Sequence, residues 1–336
     1  MSVRVYSRTS VCTTGSDEAL RVAAERMAKE EVGMLVVIDE ERPVGVLTDR
    51  DVALARNIDG HVAEAMSGPA LTVAAEASVA DAAARMGRRG VRRMPVVDTE
   101  QRLIGLISSD DVLRLLGSEI RGLCAVAAAQ MPDEPEPEAE GPGAQGIPVS
   151  HYIGEVVSVR ADVPVAAAIA AMREHAVGCV AVQAESGEAL GILTDRDVTL
   201  RVIARGAHPA TTLVSAAMSS PAVSCDASAP LEQIVEQMRR HALRRVLITR
   251  EGRLSGIVTF DDLVASLGNE LHGLGETARR QIRREQRRVQ AEHVREEVVE
   301  KLQDVGARLR EVGGEALTAL GREADNLRER IARWRQ

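Results

Sequence analysis

Aromatic side chains are nearly missing from this chain: Tyr6, Tyr152, Phe260 and Trp334 are the only four in 336 residues. The core must therefore be aliphatic, and no platform of rings exists on which unpaired bases could stack. Cysteine is almost as scarce. Cys12, Cys124, Cys179 and Cys225 lie far apart and form no C-x-x-C pair, which suits reduced thiols in a cytoplasmic protein better than a disulfide frame or a zinc site. Long apolar runs are also absent, so no segment predicts a membrane span, and the polar stretch Met1 to Ser10 lacks the apolar heart of a signal peptide. The formal net charge of -8 argues against a general binder of polyanions. What remains is an ordinary soluble composition, 45% hydrophobic and 27% charged, long enough for two or more domains.

Against that plain background one pattern repeats. Gly45-Val46-Leu47-Thr48-Asp49-Arg50-Asp51-Val52 returns as Gly191-Ile192-Leu193-Thr194-Asp195-Arg196-Asp197-Val198. Looser copies are Gly105-Leu106-Ile107-Ser108-Ser109-Asp110-Asp111-Val112 and Gly256-Ile257-Val258-Thr259-Phe260-Asp261-Asp262-Leu263. Upstream of each copy lies a short apolar run (Met34 to Ile38, Met94 to Val97, Cys179 to Val182, Val246 to Ile248), and upstream of that an Ala-rich stretch ending near Met27, Met86, Met172 or Met238. Short runs rich in Val and Ile between Gly or acidic turns read as buried strands. Each unit is thus predicted as helix, strand, turn, strand, helix, with the methionines in the core and the motif glycines serving a turn or a close approach.

The copies are unequal. The first resembles the third, and the second resembles the fourth: Leu116-Gly117-Ser118-Glu119-Ile120-Arg121-Gly122-Leu123 is echoed by Leu267-Gly268-Asn269-Glu270-Leu271-His272-Gly273-Leu274. A whole two-unit module has been duplicated. The first is expected over 1–126 (units about 5–60 and 66–120) and the second over 148–272 (units about 150–206 and 218–272). The Pro/Glu/Gly-rich segment 127–147 reads as an extended linker.

The remaining stretch, 273–336, reads as a charged helical tail. Val298, Leu302, Val305, Leu309 and Val312, then Leu317, Leu320, Ala324, Leu327, Ile331 and Trp334, form an apolar seam broken at Gly313-Gly314. Such a seam suits a coiled coil or a helix hairpin. Ahead of it Arg279, Arg280, Arg283, Arg284, Arg287 and Arg288 make a basic stripe that could meet phosphates of nucleic acid or acidic lipid. Acids crowd the following turns, which favours a solvated face instead.

The four units resemble cystathionine-β-synthase (CBS) domains, which occur in tandem pairs called Bateman modules. The resemblance covers roughly residues 5–125 and 150–270. It implies an α/β fold with four repeats in two pseudo-twofold pairs, short extra strands, and adenosine-containing ligands held in clefts between paired units. Carried over residue by residue, Thr48, Ser108, Thr194 and Thr259 would offer hydroxyls to phosphate, and Asp51, Asp111, Asp197 and Asp262 would hold ribose. Basic residues at the strand starts, Arg92-Arg93 and Arg244-Arg245, would reach ligand phosphates. The other two units carry Arg50 and Arg196 inside the motif, so that cations from both units of a pair could surround a shared cleft.

Plain physics offers a second account of the same residues. A hydroxyl followed three positions later by an acid ahead of an apolar helix is a capping box. The arginines could be solvated strand ends or could pair with neighbouring acids. The ligand account uses the helix N-terminus as a phosphate site and the Asp carboxylate as acceptor for two ribose hydroxyls.

Catalysis has no foothold: there is no P-loop, H-E-x-x-H or nucleophile elbow, and no His, Cys or acid spacing that would assemble a metal site. The expectation is a non-catalytic regulatory protein that takes AMP, ADP or ATP (NAD or S-adenosylmethionine less readily) and signals to a protein partner or a second copy. The competing class is a scaffold whose pairs bind nothing and which associates through the tail; nucleic acid ranks third.

Overall fold

The computed structural model describes residues 2–130 and 149–269, and within the tail 271–273, 275–276, 279–280, 283, 286–287, 290, 294 and 301. The segment 131–148, most of the expected linker, and the apolar seam from Val298 onward lie outside the described residues, Lys301 excepted. The chain divides into two compact units, Met1–Phe260 and Asp261–Gln336.

Met1–Phe260 contains four three-stranded sheets, one for each repeat. In the first, Thr13–Thr14 runs parallel to Met34–Asp39, which pairs antiparallel with Arg42–Thr48. The other three repeat this order, centred on Arg93–Val97, Cys179–Gln183 and Arg245–Arg250. The central strand is the most apolar because it has a neighbour on either side and a helix across one face. That helix precedes it in every unit: Leu20–Lys29, Val79–Arg89, Val165–Glu174 and Leu231–Arg240. Met27, Met86, Met172 and Met238 sit on its inner face and are buried, where their unbranched chains fill the space a core without aromatic rings leaves between Val and Ala.

The units of a pair are interlocked by an exchange of chain. Arg8, ahead of the first sheet, pairs with Leu106 in the second, and Ser67, ahead of the second sheet, pairs with Val46 in the first. Both backbone hydrogen bonds of each bridge measure 2.9 Å. The second module repeats the exchange with Gly154 on Ile257 and Ser219 on Ile192. This explains the motif glycines. A Cβ on Gly45, Gly105, Gly191 or Gly256 would stand 3.0, 2.9, 2.6 or 3.0 Å from a carbonyl oxygen of the exchanged segment. The glycine is required by a close approach, and no turn is involved.

The first and third units share one continuous hydrophobic core, in which Leu20, Met27 and Leu47 belong to the same cluster as Met172, Leu193 and Ile203. Hydrogen bonds stitch the same seam. Arg173 Nη2 donates to the Leu54 and Ala55 carbonyls at 2.7 and 2.9 Å, and the buried Thr199 hydroxyl donates to the Asp49 carbonyl at 2.7 Å. Thus the two modules of Met1–Phe260 join through their first units.

After its motif each unit goes its own way. The first has a short helix, Asp49–Ala53, and the second a long one, Ser109–Gln130, which includes the first four residues of the expected linker. The third passes from Asp195–Asp197 into a π-helix, Val198–Ile203. In Asp261–Gln336 the described residues are helical, with Arg280 Nη2 3.8 Å from Glu276 one turn earlier. No described helix is long and apolar enough to cross a membrane.

Candidate functional site

The motif stands where the third strand of a unit becomes a helix. In the first unit Thr48 caps Asp49–Ala53: its hydroxyl oxygen accepts from the Asp51 amide at 3.2 Å, while Asp51 Oδ2 accepts from the Thr48 amide and hydroxyl at 2.8 and 2.7 Å. Thr194 and Asp197 reproduce this box at 3.1, 2.9 and 2.7 Å, and Ser108 with Asp111 at 3.2, 3.0 and 2.5 Å. A single carboxylate oxygen therefore satisfies both local donors, and the acid also suits the positive end of the helix. The fourth copy is divided between the compact units, with Thr259 ending the strand Arg253–Thr259 and the exposed Asp262 on a helix of the other.

The second carboxylate oxygen points to the exchanged chain. Asp111 Oδ1 is 3.5 Å from Nη2 of Arg8, and Asp197 Oδ1 accepts from the Ser219 hydroxyl at 3.5 Å. Arg8 and Ser219 each belong to the segment that the other unit of the pair contributes. The motif Asp thus stands at the seam between paired units, only 9% exposed at Asp111 and 12% at Asp197. Arg201 Nη1 is also 3.3 Å from Asp197 Oδ1. Among the described residues nothing donates to Asp51 Oδ1, and Asp51 lines a cavity of about 390 Å³ together with Arg50, Ala55, Asn57, Glu64 and Ala65.

The arginines are deployed across modules. Arg50 Nη1 approaches Asp195 Oδ2 at 4.0 Å, and Arg196 Nη1 approaches Asp49 Oδ2 at 3.8 Å, a reciprocal pair of contacts between the first and third units. Arg196 Nη2 also donates to the Glu31 carbonyl at 3.0 Å. The strand-start arginines lie close by: the charge of Arg93 acts on Asp49, and that of Arg245 on Asp195. Arg244 bridges from the fourth unit to Asp110 in the second at 3.0 Å and lies over the Phe260 ring, 4.6 Å from its centroid. Arg92, at the neighbouring strand start, is exposed, and its carbonyl accepts from the Ser109 amide.

Burial and mutual repulsion weaken the acids of this cluster. Burial first, then the neighbouring Asp195, lifts Asp49 from 3.8 to about 6, against the opposing pull of Arg196 and Arg93. Burial likewise raises Asp195, with Arg245 and Arg50 opposing. Close packing leaves no room for side chains at the adjacent strand starts: a Cβ on Gly33 or Gly178 would fall 2.9 Å from a carboxylate oxygen of Asp49 or Asp195.

Sequence reasoning missed Arg8, Asp49, Asp110, Asp195 and Arg201. The identical Thr-Asp-Arg-Asp in the first and third copies did carry a signal for Asp49 and Asp195. An acid beside each Arg is what a reciprocal contact between two similar units requires. A further cavity, of about 460 Å³ between Thr9, Ile38, Glu41 and Leu103, lies at the hairpin ends away from the motifs, and its Asp98 and Arg102 already hydrogen-bond each other at 3.0 Å.

With this geometry in place, comparison with known proteins decides the family. The CBS-domain family pattern matches residues 3–57, 62–118, 149–203 and 214–269, well over half of the chain. The chain belongs to the CBS-domain family. Its four CBS domains form two tandem pairs, as the Gly-aliphatic-aliphatic-Ser/Thr-x-x-Asp repeats implied. A CBS domain-containing protein of Bacillus subtilis is 37% identical over 120 residues, 35% of this chain and 84% of its own. An uncharacterised protein of Methanopyrus kandleri is 31% identical over 122 residues, 34% of this chain, which spans 62% of that relative. Among solved structures, a Methanocaldococcus jannaschii protein proposed to be an archaeal homologue of g-AMPK aligns over 80% of this chain and all of its own with a TM-score of 0.59. At 19% identity that likeness shows the fold alone.

Proposed function

We propose that this CBS protein is a non-catalytic regulator that binds adenosine-containing ligands, AMP, ADP or ATP foremost, in the clefts between paired units. One observation carries the reading. In the first unit one oxygen of Asp51 completes the helix cap, while nothing among the described residues donates to the other, and Asp51 lines a cavity of about 390 Å³ with Glu64 and Ala65, just ahead of the exchanged Ser67. A cap alone needs one oxygen. A carboxylate with a second acceptor at a seam of two units is suited to a ligand that touches both, and a cis-diol is a fitting donor for it. The neighbouring helix N-terminus and the strand-start arginines supply the complement to phosphate. NAD and S-adenosylmethionine fit the same carboxylate but use less of the positive charge.

Signalling follows from position. Asp49 and Asp51 lie on the same helical turn, so a ligand at Asp51 bears on the contact that joins the modules, and a state it binds better gains population. A protein partner or a second copy would read that change.

The scaffold alternative draws on a specific observation too: Arg50 and Arg196 are engaged between modules, so they serve packing whether or not a ligand is present. Calorimetric titration with AMP, ADP, ATP, NAD and S-adenosylmethionine separates the two. Submillimolar binding that is lost in the Asp51→Ala, Asp197→Ala double variant supports the regulator. Absence of binding, or binding unchanged by both substitutions, supports the scaffold.

A further inference from the structure

The first and third units are near copies through the motif, yet they diverge just after its Asp, where Ala53 and Ala55 stand against Thr199 and Arg201. Four residues after Asp51 stands Ala55, and four residues after Asp197 stands Arg201. Arg201 is on the π-helix Val198–Ile203, peculiar to the third unit among the described motifs. It folds back onto its own motif. Nη1 donates to the Ala217 carbonyl at 2.9 Å and stands 3.3 Å from Asp197 Oδ1, the oxygen that the capping box leaves over.

The same place in the first unit is cavity. Aligning the copies from the Met-Ser dipeptides Met66-Ser67 and Met218-Ser219 makes Ala65 the counterpart of Ala217. Asp51, Ala55 and Ala65, the counterparts of Asp197, Arg201 and Ala217, all line the volume of about 390 Å³. The third unit therefore holds the Arg201 guanidinium against its carboxylate, where the first has a cavity whose lining arginines, Arg50 and Arg56, form no ion pair with Asp51 among the described residues. The second unit is intermediate: Arg8 and Arg114 stand 3.5 and 3.8 Å from Asp111 Oδ1 with side chains 60% and 72% exposed, against 40% for Arg201, which the Ala217 carbonyl also holds.

We infer that Arg201 is a built-in occupant that closes the third-unit cleft to the ribose of an adenosine ligand, so that within this pair of similar units the Asp51 site alone is open. The inference rests on the adenosine-binding reading and deepens it. An Arg held by a neutral carbonyl as well as by a carboxylate has two contacts to lose before a diol can reach Asp197. The carboxylate itself is 12% exposed, which limits the water that could take their place. Occupancy is thereby decided by a residue outside the repeat motif, and two sites with the same Thr-Asp-Arg-Asp sequence become distinct.

Binding of AMP to the full chain, measured by calorimetry, tests this. Asp51→Ala is expected to weaken the binding about tenfold or more, while Asp197→Ala leaves it unchanged. Arg201→Ala is expected to add one binding event per chain, and that event is lost in the Arg201→Ala, Asp197→Ala double variant. If Asp197→Ala weakens binding in the otherwise unaltered chain as much as Asp51→Ala does, or if Arg201→Ala adds no site, the occupant role is overturned. A second measurement stands apart from nucleotide: methylguanidinium at millimolar concentration should raise the melting temperature of Arg201→Ala and not that of the parent chain. Rescue without any AMP, ADP or ATP binding to either protein leaves Arg201 as an occupant and refutes the adenosine reading. Absence of rescue overturns the occupant even where nucleotide binds.

Discussion

Replacing Asp49 by Asn should make the protein more resistant to unfolding at neutral pH than the parent, and the gain should grow with pH. Asp49 Oδ1 accepts from the Arg50 amide at 3.0 Å, a bond that the Asn carbonyl oxygen can keep. The Asp49 carboxyl titrates at about 6 in the fold, against 3.8 for the same group exposed to water in the unfolded chain. Each tenfold change in proton affinity corresponds to ~1.4 kcal/mol, so the ionised group costs the fold about 3 kcal/mol once the pH is above both values. The folded state holds the proton more tightly than the unfolded chain. Raising the pH from 3.8 through about 6 therefore removes stability, the opposite of the usual carboxylate. Asn mimics the protonated acid at every pH. Relative to the parent, the variant should gain roughly 1.5 kcal/mol between pH 5 and pH 8, or some 3 to 6 °C in melting temperature. Urea unfolding at several pH values, followed by circular dichroism because the one tryptophan is Trp334 in the tail, gives the difference directly. Acids with lowered values, such as Asp98 and Asp162 beside their arginines, bend both profiles in the other direction and cancel in the comparison. A variant less stable than the parent at pH 8, or a difference that does not vary with pH, refutes the account of buried, mutually repelling Asp49 and Asp195.

Other substitutions probe the seams. Thr199→Val keeps the volume of a fully buried side chain but leaves the Asp49 carbonyl without its 2.7 Å donor, and should lower stability by about 1–2 kcal/mol in the same assay; an unchanged midpoint would mean that the bond contributes nothing between modules. Gly191→Ala places a Cβ 2.6 Å from the Ser219 carbonyl and should destabilise by ~1–3 kcal/mol, since backbone must move. Gly87→Ala lies in the exposed face of Val79–Arg89 with nothing within 4 Å and should stabilise by about 0.5–1 kcal/mol. The two glycine variants shifting in the same direction would defeat the argument that motif glycines are there for the exchanged strand.

The units are legible in the sequence because their signals are local. A Val/Ile run between turns, an Ala-rich helix before it and a hydroxyl three residues ahead of an acid each report on a few neighbouring positions. What repetition does not disclose is which repeat faces which. The exchange that brings Arg8 to Leu106 spans the first two units, and the contacts of Arg50 with Asp195 and Arg196 with Asp49 join residues nearly half the chain apart. Sequence reasoning places Arg50 and Arg196 in a shared cleft within each module, on the strength of their complementarity to Arg92-Arg93 and Arg244-Arg245. In the fold their side chains reach across to the other module, because the motif helices of the first and third units pack against each other beside the shared aliphatic core.

That meeting gives the motif two duties within one helical turn. Asp197 faces the seam inside its pair and Asp51 lines the cavity beside Glu64 and Ala65, while Asp49 and Asp195 face the seam between pairs, two residues away on the same short helices. The helix that carries Asp49 and Asp51 has five residues and little interior of its own to absorb a shift. Displacing Asp51 toward a ligand would move the Asp49 carbonyl, to which Thr199 donates, and the carboxylate beside Arg196. The ion pairs are long, at 3.8 and 4.0 Å, and their acids are partly disfavoured as anions, so this contact is weakly held compared with the hydrophobic core beneath it. A coupling between ligand and module packing should therefore show itself in the titration of Asp49: nucleotide binding at Asp51 should shift the carboxyl resonance of Asp49 in a pH series, and Arg196→Ala should raise its midpoint by removing the opposing cation. A midpoint indifferent to both would separate the two seams, and with them ligand binding from module packing.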